Sequence, residues 1–348
     1  MPPRPRAGSL ALCLAASLAG APAPAAECPD PASCIGDYLA LPARLPPEAR
    51  LAKPLSGEAV DALVAQIGSQ PLVPGPLGPG ELAAAVEGAL SLSFLRRGIA
   101  DRPLEVRGSS RDAGAFEERQ LSLADPYVGD VPAILLLPKG RGPFPAVLAL
   151  HGHGDSAAAF RDEHNGRDYP ERGVALLMLT LRGMNIDRYE HEAARTLMAH
   201  GLHLMGVRVY EALLGLKLLR RLPEIDPERI GLIGHSGGSS TGNLVVWLEP
   251  GFRAYVSDHQ VDYRSSDPDE PYHCETVPGL YPLHRLVNDL AAAPTPVKVV
   301  RYYHGRRHPL KLFGRDRREN AELLDFFERE LRWRPAGAHR RISTAARD

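Results

Sequence analysis

The sequence predicts an α/β protein: a mostly parallel central sheet with helices on both faces. Three observations carry this. From Leu104 onward, the short strand candidates "LEVRG", "ERQLSL", "VPAILLLP" and "PAVLALHGHG" follow one another, separated by the turn-rich stretches "DPYVGD" and "KGRGPFP". Beyond them, strand-length apolar runs alternate with segments of helical periodicity, the pattern of parallel strands joined by crossover helices. The run "GVALLMLTL" is apolar without alternation, as expected of a strand buried on both faces.

The elements fall in order. Residues 1–25 open with Arg4 and Arg6, pass through a short apolar core and offer Ala-x-Ala choices ending at Ala23 or Ala25, which reads as a signal peptide. Residues 26–100 form an N-terminal arm and short helices. Within them, the proline- and alanine-rich stretch 29–54 is expected as an extended arm on the surface. Residues 58–67 and 81–95 show helical spacing on either side of "PLVPGPLGPG". Residues 101–334 form the main domain. In it, 203–222 is a helix placing Val209, Leu213, Leu216 and Leu219 on one face. "RIGLIG", "FRAYVSD" and "PVKVVRYY" are strands, and 319–331 is a closing amphipathic helix. Residues 335–348 are expected as a flexible tail. No internal repeat is visible.

With 348 residues, 44% hydrophobic content and a formal charge of -1, the chain buries a sizeable core and carries no basic run, so nucleic acid is not expected as a partner. No later stretch of about 18 apolar residues could span a bilayer. Cys13 follows Leu12 and Cys28 follows Glu27, neither the small residue that a lipoprotein anchor needs. The expected location is therefore periplasmic or secreted, without a membrane anchor. There, Cys28 and Cys34 are close enough to close a small disulfide loop, and Cys274 is left unpaired.

Two motifs bear chemistry. In "RIGLIGHSGGSSTG", residues 229–242, Ser236 stands between glycines after a buried strand and before a helix. A Gly-x-Ser-x-Gly pattern alone is weak, but this strand-turn-helix context lifts the hydroxyl clear of the sheet. It also aims the Gly237 N-H and the helix N-terminus at developing negative charge. The second motif is "HGHGD", residues 151–155, whose Gly152, His153 and Gly154 can bring backbone N-H groups to the same charge. A rival reading places a metal on His151, His153 and Asp155.

These motifs, together with "GPFPAVLALHGHG", "LRGMN", "HCETVPGL" and the long match over 206–238, resemble the α/β-hydrolase superfamily, and in particular the bacterial branch of dienelactone hydrolases and acetyl xylan esterases. The resemblance runs from about Leu104 to Leu331. It implies a serine hydrolase acting on small or carbohydrate acyl esters, with no cofactor, which the leader at 1–25 would export. It also implies the order serine, acid, histidine along the chain. Ser236 is the expected nucleophile. His308 is the expected base, with His304 as alternative, and Gly237, His153 and Gly152 supply the oxyanion hole. Between Asp289 and Asp316 there is no acidic residue where the family carries its aspartate, as if the sheet were shortened near its C-terminal strands. The acid is therefore expected at Asp258, with Asp262 and Glu275 behind it. Arg182 and His235 are expected to face substrate, although Arg182 could instead pin its loop to Asp187 or Glu190. Segment 263–285 is expected to form a lid. Two other readings stand beside this one: a fold kept for binding after its triad was broken, and a metallohydrolase on "HGHGD".

Overall fold

The computed structural model describes residues 31–184, 187–258, 263, 272–299 and 317–332. All the strands expected from the sequence are present: β1 (Glu105–Asp112), β2 (Phe116–Asp125), β3 (Gly129–Pro138), β4 (Phe144–Leu150), β5 (Ala175–Leu179), β6 (Ile225–Gly234), β7 (Ala254–Ser257) and β8 (Val297–Val299). They form one sheet in the order β1-β2-β3-β5-β4-β6-β7-β8. The pairs β1–β2, β2–β3 and β3–β5 are antiparallel, whereas β5–β4, β4–β6, β6–β7 and β7–β8 are parallel.

The helices are α1 (Pro31–Arg44), α2 (Gly57–Ala65), α3 (Pro79–Ala89), α4 (Ser93–Arg96), α5 (Ala157–Glu163), α6 (Asp168–Glu171), α7 (Asp187–Ala199), α8 (Leu204–Arg221), α9 (Gly237–Leu248), α10 (His284–Val287) and α11 (Arg317–Glu330). Alternation along each central strand divides the core in two. Ala146, Leu148 and Leu150 of β4 join Leu177 and Leu179 of β5 in the larger cluster, with α8 and α9. Val147 and Ala149 point the other way and pack with Leu176, Met178 and the Leu323, Leu324 and Phe327 side chains of α11. The sheet is thus covered on both faces, which is why its central strands read as continuous apolar runs.

Helix α8 is buried from Leu204 to Leu219, because it lies on the sheet and is itself overlain by α7 and α9. The expected helix over 81–95 is divided: Ser91 takes φ 53 and separates α3 from α4. One expectation is corrected. The stretch 29–54 is not an extended arm, since Pro31–Arg44 is the helix α1, packed on α7. Ile35, Tyr38, Leu41 and Leu45, at steps of three, three and four, are all buried and form a helical stripe that the prolines and alanines obscure in the sequence. Pro31 at the first position costs no hydrogen bond, and Pro42 removes only one near the C-terminal end.

The leader 1–25, Cys28, the side chain of Cys34 and the tail 335–348 lie outside the described residues, as does 300–316, where the shortening was expected. Cys274 is buried and, among the described residues, makes no disulfide. Among the described residues, no helix is long and apolar enough to cross a membrane.

Candidate active site

Strand β6 ends at Gly234 and α9 begins at Gly237, so two residues turn the chain through the switch from strand to helix. Ser236 does this with φ 51 and ψ -118, a conformation that side-chain-bearing residues rarely adopt. The turn is tight enough to exclude side chains nearby. A Cβ on Gly238 would run into the Leu150 carbonyl oxygen at the end of β4. The His235 N-H donates to that same carbonyl at 3.0 Å, and the Gly238 N-H donates to the His235 carbonyl at 2.8 Å. The Ser240 N-H donates to the Ser236 carbonyl at 3.0 Å, so the serine caps the first turn of α9.

The loop after β4 lies against this turn because β4 and β6 are neighbours in parallel register, Leu150 beside Gly234. A Cβ on Gly152 would approach the Ser236 Cβ to 2.7 Å and the His235 carbonyl oxygen to 2.9 Å, so only glycine allows the loop so close. The Gly154 N-H is taken by the Met184 carbonyl at 3.1 Å, which fixes the far end of the loop.

Asp258 follows β7 and reaches under the turn. Its Oδ1 accepts from the Ser236 N-H at 2.8 Å and from the Ser239 hydroxyl at 2.9 Å, and its Oδ2 accepts from His235 Nδ1 at 2.5 Å. Burial acts to raise this carboxyl, but the His235 imidazole and the other donors outweigh it and hold it below the usual carboxylate range. A second buried pair stands alongside. Asp155 Oδ2 accepts from His164 Nε2 at 2.5 Å, and the His164 and His235 rings are 5.4 Å apart. His235 is thus buried against carboxylate and ring, not turned toward open space.

The loop residues of "HGHGD" separate. His151 donates from Nδ1 to the Gly152 carbonyl at 2.9 Å and accepts the Leu181 N-H on Nε2 at 2.9 Å. Burial, first, pulls its pKa down to about 4, in keeping with a neutral ring held between a donor and an acceptor. Asp155 also accepts the Ser156 N-H at 2.8 Å. His151, His153 and Asp155 therefore do not converge, and the metal cluster read from the motif is not formed. His153 instead meets Glu190 and Cys274. Its Nε2 is 3.1 Å from Glu190 Oε2 and 3.7 Å from Cys274 Sγ. This is the group of three His, Cys, Asp or Glu side chains among the described residues whose donor atoms could share an ion. Glu190 Oε1, however, already accepts Arg208 Nη1 at 2.6 Å and the Cys274 N-H at 3.2 Å.

Arg182 is also corrected. Its side chain is 2% exposed, with its guanidinium on Glu211, on Asp37 at 3.3 Å and on the Val128 carbonyl at 2.8 Å, and it lies 4.3 Å over the Tyr38 ring. A group so enclosed pins α1 to the sheet edge and does not face substrate. Its partners are Glu211 and Asp37, while Glu190 belongs to Arg208. Glu275 reaches the first turn of α9, accepting the Ser240 hydroxyl at 2.5 Å. His304, His308 and Asp262 lie outside the described residues, as do residues 264–271 of the expected lid. Glu190, Arg208 and His164 had no motif to announce them, since their partners are 37, 18 and 9 residues away in the chain.

Among the described residues, a mixed eight-stranded sheet with helices on both faces and a serine on the sharp turn after β6 defines the α/β-hydrolase fold. Known proteins agree with this class. YtaP of Bacillus subtilis (strain 168), provisionally named a hydrolase, is 27% identical over 267 residues, which are 68% of this chain and 84% of YtaP. A Bacteroides fragilis structure provisionally named an acetyl xylan esterase superposes with a TM-score of 0.53 at 13% identity, covering 80% of this chain and 90% of that one. Acetyl xylan esterase from Paenibacillus sp. R4 gives 0.52 at 14%, covering 77% and 99%. At these identities the two structures speak for the fold. No family model matches the sequence.

Proposed function

We propose that this chain is an ester hydrolase that works through an acyl intermediate on Ser236. The observation that carries the reading is the backbone of Ser236, φ 51 and ψ -118, at the switch from β6 to α9. Such strain persists only where the surroundings enforce it, and here Asp258, Gly152 and Gly238 do so. The Ser236 Oγ attacks the ester carbonyl carbon and its proton passes to the base, His308. The N-H groups of Gly237 and His153 receive the oxyanion, the alcohol departs with the proton, and water releases the acid. Asp258 is assigned as the acid of the site, with Asp262 and Glu275 behind it. Its observed bond to His235 means that, in this arrangement, it also fixes the turn itself.

The names of the similar structures favour small or carbohydrate acyl esters as substrates. The leader 1–25 favours export. The test is hydrolysis of short-chain nitrophenyl esters together with labelling by a fluorophosphonate. Both are expected in the wild type and neither in Ser236→Ala. Equal labelling of the two proteins overturns the reading. Asp258→Asn compared with Glu275→Gln then identifies the acid by which one loses kcat.

A further inference from the structure

We infer that the His153 side chain is a charged arm of the oxyanion hole, donating from Nδ1 to the developing oxyanion while Glu190 holds the ring through Nε2. This rests on the esterase reading, and goes beyond it by giving the side chain a role distinct from the backbone N-H of the same residue.

The geometry comes from two sides of one ring. On the inner side, Nε2 stands 3.1 Å and 3.2 Å from the two Glu190 oxygens, so it carries a proton. Glu190, only 3% exposed, is fixed in turn by Arg208 Nη1 at 2.6 Å and by the Cys274 N-H. On the outer side, the ring lies over Gly237. A Cβ at 237 would come within 2.7 Å of His153 Cε1 and 2.8 Å of Nδ1. The residue after the nucleophile is therefore glycine because this imidazole occupies the space of its side chain. With Nε2 committed inward, Nδ1 is the ring nitrogen on the elbow side, and 31% of the side chain is exposed, so a bound group can reach it.

The charge follows from what faces the ring. Glu190 comes from α7, Arg208 from α8, Cys274 from the segment before Pro278, and His151 from the same loop. Burial opposes a positive ring. The adjoining Glu190 carboxylate, with Cys274 beside it, outweighs burial, and His153 is held well above the ordinary histidine range. Burial, first, pushes the Cys274 thiol up, so it stays protonated and does not compete as an anion. An imidazolium donates a stronger bond to an oxyanion than a neutral amide does. It has no lone pair with which to take the Ser236 proton, so the base lies elsewhere, as proposed. The same charge argues against an ion shared by His153, Glu190 and Cys274, since Arg208 already fills the cationic place beside Glu190.

The experiment uses the full chain. His153→Ala and His153→Gln both keep the backbone N-H and isolate the side chain. We expect kcat for a nitrophenyl ester to fall about 100-fold in His153→Ala, with KM little changed and part of the loss recovered in His153→Gln, whose amide is a neutral donor. An alkyl boronate, which forms a tetrahedral adduct on the serine, should lose affinity in parallel with kcat. Glu190→Gln should move the alkaline fall of kcat to lower pH, an effect that a packing role would not produce. Should the alanine variant not fold, as judged by circular dichroism, the glutamine variant and the Glu190→Gln pH profile decide. Unchanged kcat in folded His153→Ala, an unmoved alkaline limb in Glu190→Gln, or a stoichiometric metal required for activity overturns the inference. If Ser236→Ala retains activity, the esterase reading has failed. If Ser236→Ala is dead and His153→Ala is active, only the present inference has.

Discussion

Ser236 is held in place by a carboxylate as much as by glycines. Asp258 takes three donors from the turn, those of Ser236, Ser239 and His235. Asp258→Asn keeps the shape but removes the charge, and is expected to cost about 1–3 kcal/mol in denaturant unfolding at neutral pH. The sign with pH follows from the depressed carboxyl. Its contribution is present above the unfolded value of about 4 and is lost as pH falls through the lower folded value, so wild type and Asp258→Asn should converge in stability in acid. Gly238→Ala should destabilise by about 1–3 kcal/mol in the same measurement, because its Cβ meets the Leu150 backbone, which cannot move without disturbing β4. At this scale the sequence was partly legible. Ser236 announced itself by its flanking glycines, and Asp258 by following the strand next to the elbow. The ring of His153 did not, because its partners Glu190 and Cys274 are brought up from 37 and 121 residues away.

Helix α1 shows what patterning conceals. Its stripe of Ile35, Tyr38, Leu41 and Leu45 is regular, but two prolines and several alanines around it resemble a surface arm. Tertiary contact completes it: the Tyr38 hydroxyl donates to Glu211 Oε2 at 2.8 Å, and Arg182 joins Glu211 to Asp37. Leu41→Ala should lose about 2–5 kcal/mol of stability by leaving a cavity against α7. Arg182→Met should cost about 3–5 kcal/mol, since it strands the fully buried Glu211 without its cation. A surface arm would not show the Leu41 loss in thermal or urea unfolding. The central strands β4 and β5, by contrast, were legible as runs of apolar residues because both their faces are buried, whereas β1, exposed along its whole length, was legible only from its place before a turn-rich stretch.

The molecule as a whole should be sensitive to mild acid. His151, neutral and enclosed, has its pKa pulled down to about 4 by burial, below the unfolded value of about 6.5. The unfolded chain therefore binds the extra proton first, and stability falls as pH drops from 6.5 toward 4. Glu190, buried but held low by Arg208, adds a loss at the acid end of that window. The urea midpoint should decline over this interval, and His151→Asn should flatten the decline. The order of strands was legible only as a class, because alternation of strand and helix gives layers, whereas the placing of β5 between β3 and β4 is settled by pairing across the sheet. The strained turn has a further consequence for anyone seeking a hardier version of this protein. Glycine at 236 would relieve the positive φ and should raise the melting temperature, by an amount equivalent to about 1 kcal/mol. On the proposed mechanism, a library sorted only by survival after heating would enrich robust copies that no longer turn over ester, so each round of heat needs a round scored on turnover.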